Sequence, residues 1–458
     1  MVELISRIDS YSLAGLTGSG IFEFFKKLPV DETWTFEGTS RTETSYITHS
    51  YHRYPAKFIP QLASRLIREY SSSEGDLICD PFMGCGTTLV ESMMLKRRSV
   101  GVDVNPTAFI ATKAKTTPIR PEYLRAEVDK LQRKAKPILK DRASFLERDV
   151  KPVIPPYKRI DYWFTETSKQ DLGMLLALIE DTLDEDVRAF LQCGFSHILK
   201  NCSRWMMRSV KPTIDQEKTI PDVHDTFFCH IRKMVNKNER FWNALPAEVR
   251  ENPKSYVRSE LRDCRNLPIE KNQVAAIVTS SPYVTSYEYA DLNQLTALWF
   301  ECSGTLQTLR KDFIGSSQTK VVDVQLKSGI AQSIVEKYEA LGLLKISLEV
   351  STYFAEMQQA FAEFQRVLQP EGVACFVIGN TALKGVEILN GEVFLETCLS
   401  LGFKPVRVVK RRIPSGGKIL PSIRDTKTGR FTSADNGNGL KEAYSYEYIV
   451  IVQKQGDH

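Results

Sequence analysis

The sequence predicts an α/β layer fold: a mainly parallel sheet that ends in an antiparallel hairpin and is interrupted by a mainly helical insertion. Three observations predict it. Residues 76–103 read as a strand-helix-strand unit, residues 119–250 carry helix-period segments without strand signals, and the β-rich runs 405–409 and 447–452 flank a strongly basic segment.

Each element follows from its residues. Residues 1 to about 45 mix polar and aromatic side chains without firm periodicity and read as an irregular N-terminal arm. The run 76–80 (DLICD) is a buried strand, 86–96 a helix and 99–103 (SVGVD) the next strand. In the insertion, 171–183 and 186–200 place apolar residues at helical spacing, whereas 153–157 (VIPPY) and 211–213 (KPT) read as connectors. Segments 204–211 and 231–240 mix basic and apolar side chains, which suits a nucleic-acid-facing surface and equally a helix with one wet side. Strand-like runs return at 275–279, 372–378, 405–409 and 447–452, with a long helical pattern at 346–368. The expected division is an arm (1–45), a main domain (46–118 with 251–458) and an inserted domain (119–250).

Composition narrows the function classes. The chain has 458 residues, 42% hydrophobic and 26% charged, enough apolar material for two or three cores, so disorder is excluded as the main state. No run approaches the roughly 20 apolar residues that span a bilayer, and the start MVELISRIDSYSLAG lacks a leader pattern, so a cytoplasmic protein without membrane contact is expected. Nine scattered cysteines contain no C-x-x-C pair, which writes neither a disulfide framework nor a zinc cage. His49 and His52 lack a third ligand nearby in sequence, and no metal is expected. Net charge is +5, but residues 404–430 hold nine basic side chains against the single acid Asp425. That surface would attract a polyanion, although a solvated basic loop fits the same run.

The segment 80–88 (DPFMGCGTT) stands where a strand gives way to a helix, the place where open α/β sheets bind ligands. Gly84 and Gly86 let the backbone approach a ligand closely. Asp103 follows at the end of the next strand, where a carboxylate can accept from both ribose hydroxyls. Leu89 stands where a dinucleotide loop needs its third glycine, and no G-x-x-x-x-G-K-[ST] cradle exists, so NAD and P-loop nucleotides are disfavoured. A nucleoside without phosphates remains, of which S-adenosylmethionine is the common one. After the apolar run 275–278 comes 279–283 (TSSPY) at another strand end. The Ser280 hydroxyl and Ser281 carbonyl can accept the hydrogens of an exocyclic amino group while Tyr283 stacks on its base; an ordinary strand-ending turn is the alternative.

Together these segments resemble the DNA amino-methyltransferases, which methylate N4 of cytosine or N6 of adenine in duplex DNA. Residues 80–87 match the cofactor motif D-P-F-x-G-x-G-T, and 279–283 match T-S-P-P-Y except at Ser281. Residues 52–60 (HRYPAKFIP) match the N-terminal motif, 101–106 (GVDVNP) the ribose strand and 366–372 (RVLQPEG) the approach to the fifth strand. The resemblance spans residues 48–118 and 256–453 and implies a Rossmann-like S-adenosylmethionine-dependent methyltransferase sheet with the insertion as target-recognition domain. It implies cofactor contacts from Tyr54, Lys57, Phe58, Pro60, Asp80, Pro81, Phe82, Gly84, Gly86, Thr87, Thr88, Asp103, Val104, Asn105 and Asp263, and a catalytic loop of Ser280, Ser281, Pro282 and Tyr283. Serine at the first loop position resembles the cytosine-N4 branch, since the adenine branch carries Asp or Asn there. Double-stranded DNA with an extruded target base is the implied substrate, with Arg411, Arg412, Lys418 and Arg424 of the basic hairpin on its phosphates and a cognate restriction endonuclease as partner. Adenine-N6 methylation and a catalytically degenerate DNA-binding protein are the competing readings.

Overall fold

The computed structural model describes residues 15–54, 58–140, 151–209, 211–284, 289–300, 310–316, 324–413, 423–425, 440–442 and 446–456. Seven strands form the main sheet: β1 (Leu77–Asp80), β2 (Arg98–Asp103), β3 (Val257–Leu261), β4 (Val274–Ser280), β5 (Leu368–Ile378), β6 (Phe403–Arg412) and β7 (Tyr446–Lys454). Their order is β3-β2-β1-β4-β5-β7-β6. The first five run parallel, and β7 lies antiparallel between β5 and β6, which closes the sheet with the expected hairpin. Strand order reverses between β1 and β4, so the ligand crevice belongs at their carboxyl ends.

Alternation along the central strands splits their side chains between two cores. Cys79, Ile277, Ala374 and Phe376 face one side, with Phe361 and Phe364 of the helix Leu344–Val367. Ile78, Ala276, Val278, Cys375 and Val377 face the other, with Leu62, Leu66 and Ile67 of the helix Pro60–Tyr70. Each fully buried Val, Leu, Ile or Phe contributes about 1.5–3 kcal/mol, and a one-residue slip would exchange the two faces, so the register that sets the strand ends side by side is tightly specified.

The N-terminal arm departs from its reading. Residues Gly18–Lys27 form a helix whose Ile21 and Phe25 are buried in the first core. Gly18 and Gly20 each cost a helix about 1 kcal/mol relative to alanine, so local sequence argues against it and tertiary packing decides. The following residues cover the edge of the sheet: Asp31 N–H donates to the Lys410 carbonyl at 2.8 Å, and fully buried Trp34 carries the Arg65 guanidinium 3.6 Å from its ring centroid.

The described residues of 119–250 are mainly helical, as their periodicity predicts. The helices Glu166–Glu180, Glu185–Ile198 and Val223–Ala244 start at Thr165, Asp184 and Asp222, whose side chains accept from first-turn N–H groups. Their core includes Trp163, stacked on Trp205 at 5.1 Å, and extends to Tyr51, Ala114, Leu298 and Trp299. Phe241 and Leu245 also pack on Val90 and Met93 of the helix Thr87–Met94. The helical segment is thereby fastened to the sheet's first helices.

Candidate active site

The carboxyl ends of β1 and β4 meet because Cys79 pairs with Ile277. Thr279 Oγ1 donates to Asp80 Oδ1 at 2.7 Å, and Phe82 N–H donates to the same oxygen at 3.2 Å. Beyond Asp80 the chain turns through Gly84 (φ +48°) and Gly86 (φ +73°), both left-handed. A Cβ on Gly86 would stand 2.7 Å from Thr112 Oγ1, and one on Gly84 would stand 3.3 Å from the Tyr54 ring. The loop is held from beneath by two donors on one helix: Thr112 Oγ1 to the Gly84 carbonyl at 3.0 Å and the buried Lys115 ammonium to the Cys85 carbonyl at 2.5 Å.

Asp103 closes the other side. Its Oδ2 accepts from Gly84 N–H at 2.9 Å and its Oδ1 from Asn105 N–H at 2.8 Å. Burial pushes the carboxyls of both Asp80 and Asp103 up to about 6, despite the hydrogen bonds that oppose it.

The tetrapeptide is fixed at each residue after Ser280. Ser281 N–H donates to the Val377 carbonyl at 3.2 Å, Tyr353 Oη donates to the Pro282 carbonyl at 2.8 Å, and Gly379 N–H donates to Tyr283 Oη at 3.0 Å. The departure at Ser281 is thus compensated, since a proline there would lack the N–H that ties the loop to β5. The Ser281 hydroxyl is buried without a hydrogen-bond partner among the described residues.

Tyr54, Phe58, Asp80, Pro81, Phe82, Gly84, Thr87, Asp103, Val104 and Asp263 line one open cleft of about 950 Å³ together with Ser280, Ser281, Pro282 and Tyr283. The glycine loop and the tetrapeptide therefore open onto the same space. Asp263 faces it from within an ion pair: Arg265 Nη2 stands 2.6 Å from its Oδ2, and Arg265 Nη1 reaches fully buried Glu356 at 2.8 Å.

Four expected contacts lie outside the lining. Pro60 opens its helix, and Gly86 supplies the turn. Thr88 Oγ1 donates to the Val278 carbonyl at 3.2 Å. Asn105 caps the helix Pro106–Lys115 and donates to Tyr54 Oη at 3.1 Å, so its side chain orients a wall residue. Lys57 lies outside the described residues. Sequence reasoning missed Met83, Cys85, Arg262, Cys264, Asp312, Phe313 and Ile314 as wall residues. Arg262 and Cys264 could have been found as neighbours of Asp263. Residues 312–314 carry no local signal, and their segment is tied to the long helix by Gly315 N–H donating to Glu356 at 3.3 Å.

The basic hairpin needs a correction. Arg411 is 3% exposed, paired with Glu447 at 3.0 Å and bonded to the Thr35 carbonyl, so it has no free face for a phosphate. Half-exposed Arg412 lies 3.6 Å from Glu32. Lys418 lies outside the described residues, and Arg424 stands opposite Lys441 on a short two-stranded ladder.

A family model described as DNA methylase matches residues 23–113, which contain the N-terminal motif, the glycine loop and Asp103. The type II methyltransferase M.MvaI of Kocuria varians is 25% identical over 413 residues, covering 86% of this chain and 89% of its own. The type II methyltransferase M.BsoBI of Geobacillus stearothermophilus is 24% identical over 438 residues, covering 83% and 84%. These matches support the DNA amino-methyltransferase family. Among solved structures, a SAM-dependent methyltransferase of Methanosarcina mazei aligns over 86% of this chain and 98% of its own at 8% identity, with a TM-score of 0.29.

The residues present fit S-adenosylmethionine as cofactor. Asp103 holds lone pairs beyond its two backbone bonds for ribose hydroxyls, and the space beside Gly84 and Gly86 is one that side chains would narrow. Because the folded Asp103 titrates near 6 and the unfolded group near 3.9, ionising it costs stability as pH rises from about 4 through 6. A ligand that donates to the ionised carboxylate shows the opposite slope. Cofactor affinity measured by calorimetry is expected to rise from pH 5 to 7 and then level; a flat profile would remove Asp103 from the contact.

Proposed function

We propose that this protein is a type II DNA methyltransferase that moves a methyl group from S-adenosylmethionine to N4 of a cytosine rotated out of duplex DNA, as the modification enzyme of a restriction system. The observation that carries the reading is the single cleft shared by the glycine loop and residues 280–283. The cytosine assignment rests on serine at position 280. The helical insertion 119–250 is the proposed reader of sequence, and the residues of the cleft are the proposed cofactor and base contacts.

When bound, the cofactor supplies a sulfonium methyl group. The protein's task is to make a poor nucleophile attack it, because the cytosine amino lone pair is delocalised into the ring. Ser280 Oγ and the Ser281 carbonyl accept the amino hydrogens and draw them out of the ring plane, which localises the lone pair and stabilises the positive charge developing on nitrogen. Tyr283 stacks on the base, with its hydroxyl anchored on Gly379. Bound there, the cofactor would supply the methyl carbon as a sulfonium whose C–S bond is exchanged for the new C–N bond, leaving a thioether, and the amino nitrogen would release one proton to water.

Incubation with methyl-labelled S-adenosylmethionine and unmodified duplex DNA, followed by digestion to nucleosides, tests this. N4-methyldeoxycytidine is expected. N6-methyldeoxyadenosine would overturn the base assignment, and cofactor binding without transfer to any DNA would favour the degenerate reading.

A further inference from the structure

A second open groove of about 1740 Å³ lies between residues 41–54 and the helical segment. Four of its lining residues are cations, Arg41, Arg53, Lys200 and Arg208, and none is a carboxylate. Of its three histidines, His52 and His197 are held neutral by burial and add nothing to that charge, and His49 turns its Nε2 to buried Glu91 at 2.8 Å. Arg53 is exposed at the mouth of the groove and Lys200 is partly buried. Arg53 donates to the neutral Asn201 at 2.9 Å, and Lys200 donates to the Ser209 carbonyl at 2.8 Å with its ammonium 5.5 Å from the Trp205 ring. Burial together with the Arg53 charge lowers Lys200 from the usual lysine range. Like charges gathered on one groove, with Lys200 partly buried and no acid in the lining, repel one another and call for an anion from outside. Tyr54 lines both this groove and the active-site cleft, so whatever fills the groove lies beside the reacting base.

We infer that this groove, with Arg53, Lys200 and Arg208, is where the DNA backbone flanking the extruded base is gripped, in place of the base of the β6–β7 hairpin. The inference rests on the DNA methyltransferase reading and names its docking surface. It also gives the basic-apolar segment 204–211 a use: Arg208 stands exposed on the groove wall beside Met207 and Ser209.

The test is duplex binding by the full chain across a salt series. The triple variant Arg53→Gln, Lys200→Gln, Arg208→Gln is expected to bind at least about tenfold more weakly at moderate salt. Its slope of log affinity against log salt is expected to flatten by about 0.9 for each phosphate no longer neutralised. Arg208→Gln alone changes an exposed residue that makes no ion pair among the described residues, and it is expected to give part of that slope change with no loss of cofactor affinity. The charge-keeping pair Arg53→Lys and Lys200→Arg is expected to hold the slope. Wild-type affinity and slope in the triple variant, or loss of affinity for duplex RNA alone, would overturn the groove. Wild-type protein that binds DNA with these salt effects yet transfers no methyl group would overturn the methyltransferase reading and leave the groove standing.

Discussion

Ser280→Ala is expected to lower methyl transfer by about two to three orders of magnitude, comparable to removing one preorganised polar contact from a charge-stabilising site, while cofactor affinity stays within about twofold. Ser280 ends β4 and Asp103 ends β2, with β1 between them, so the proposed base contact and the proposed ribose contact come from different strands of the cleft. Ser281→Ala is the matched control. Its hydroxyl is buried without a partner among the described residues, and the proposed contact uses the carbonyl, so turnover is expected to remain within about twofold and stability to hold or rise slightly. Equal losses in the two variants would move the chemistry off the Ser280 side chain. Tyr283→Ala adds a third arm, with about 1–3 kcal/mol of stacking removed from kcat/KM.

Asp103→Ala is expected to weaken S-adenosylmethionine binding by about a hundredfold or more. Hydrogen bonds to charged groups contribute about 1.5–3 kcal/mol each, and Asp103 stands to lose both those to the ribose and those that hold the loop. Gly84 N–H and Asn105 N–H both end on this carboxylate, so the variant also releases the glycine loop from the end of β2. Asp103→Asn keeps the shape and one acceptor oxygen, and is expected to fall between. Calorimetric titration separates the three proteins, and equal affinity for the cofactor across them would place the nucleoside away from β2.

Much of this arrangement is legible in the chain itself. The strands around Cys79, Val100, Ile277 and Phe376 announce themselves through short apolar runs, and the glycine loop through residue types that only a tight turn beside a ligand requires. What the chain conceals is set by distance in sequence. Arg411 reads as a phosphate contact because Glu447, its directly opposed partner across β6 and β7, is 36 residues away; carrying the expected hairpin through to its register pairs them. The helix Gly18–Lys27 is hidden because its two glycines disfavour it locally and burial of Ile21 and Phe25 restores it. The wall at Asp312, Phe313 and Ile314 and the groove of Arg53, Lys200 and Arg208 are assembled from segments far apart in sequence, and no local pattern reports such a meeting.

The most direct measurement is a crystal structure of the ternary complex with S-adenosylhomocysteine and a duplex containing the target site. The account predicts a single cytosine swung out of the helix against Tyr283, its amino nitrogen hydrogen-bonded to Ser280 Oγ and the Ser281 carbonyl. That nitrogen should face the cofactor sulfur across room for one methyl group, with about 3–3.5 Å between nitrogen and the position of the transferred carbon. A target base left in the stack, or one lodged in a pocket that the Gly84 loop does not border, would contradict it.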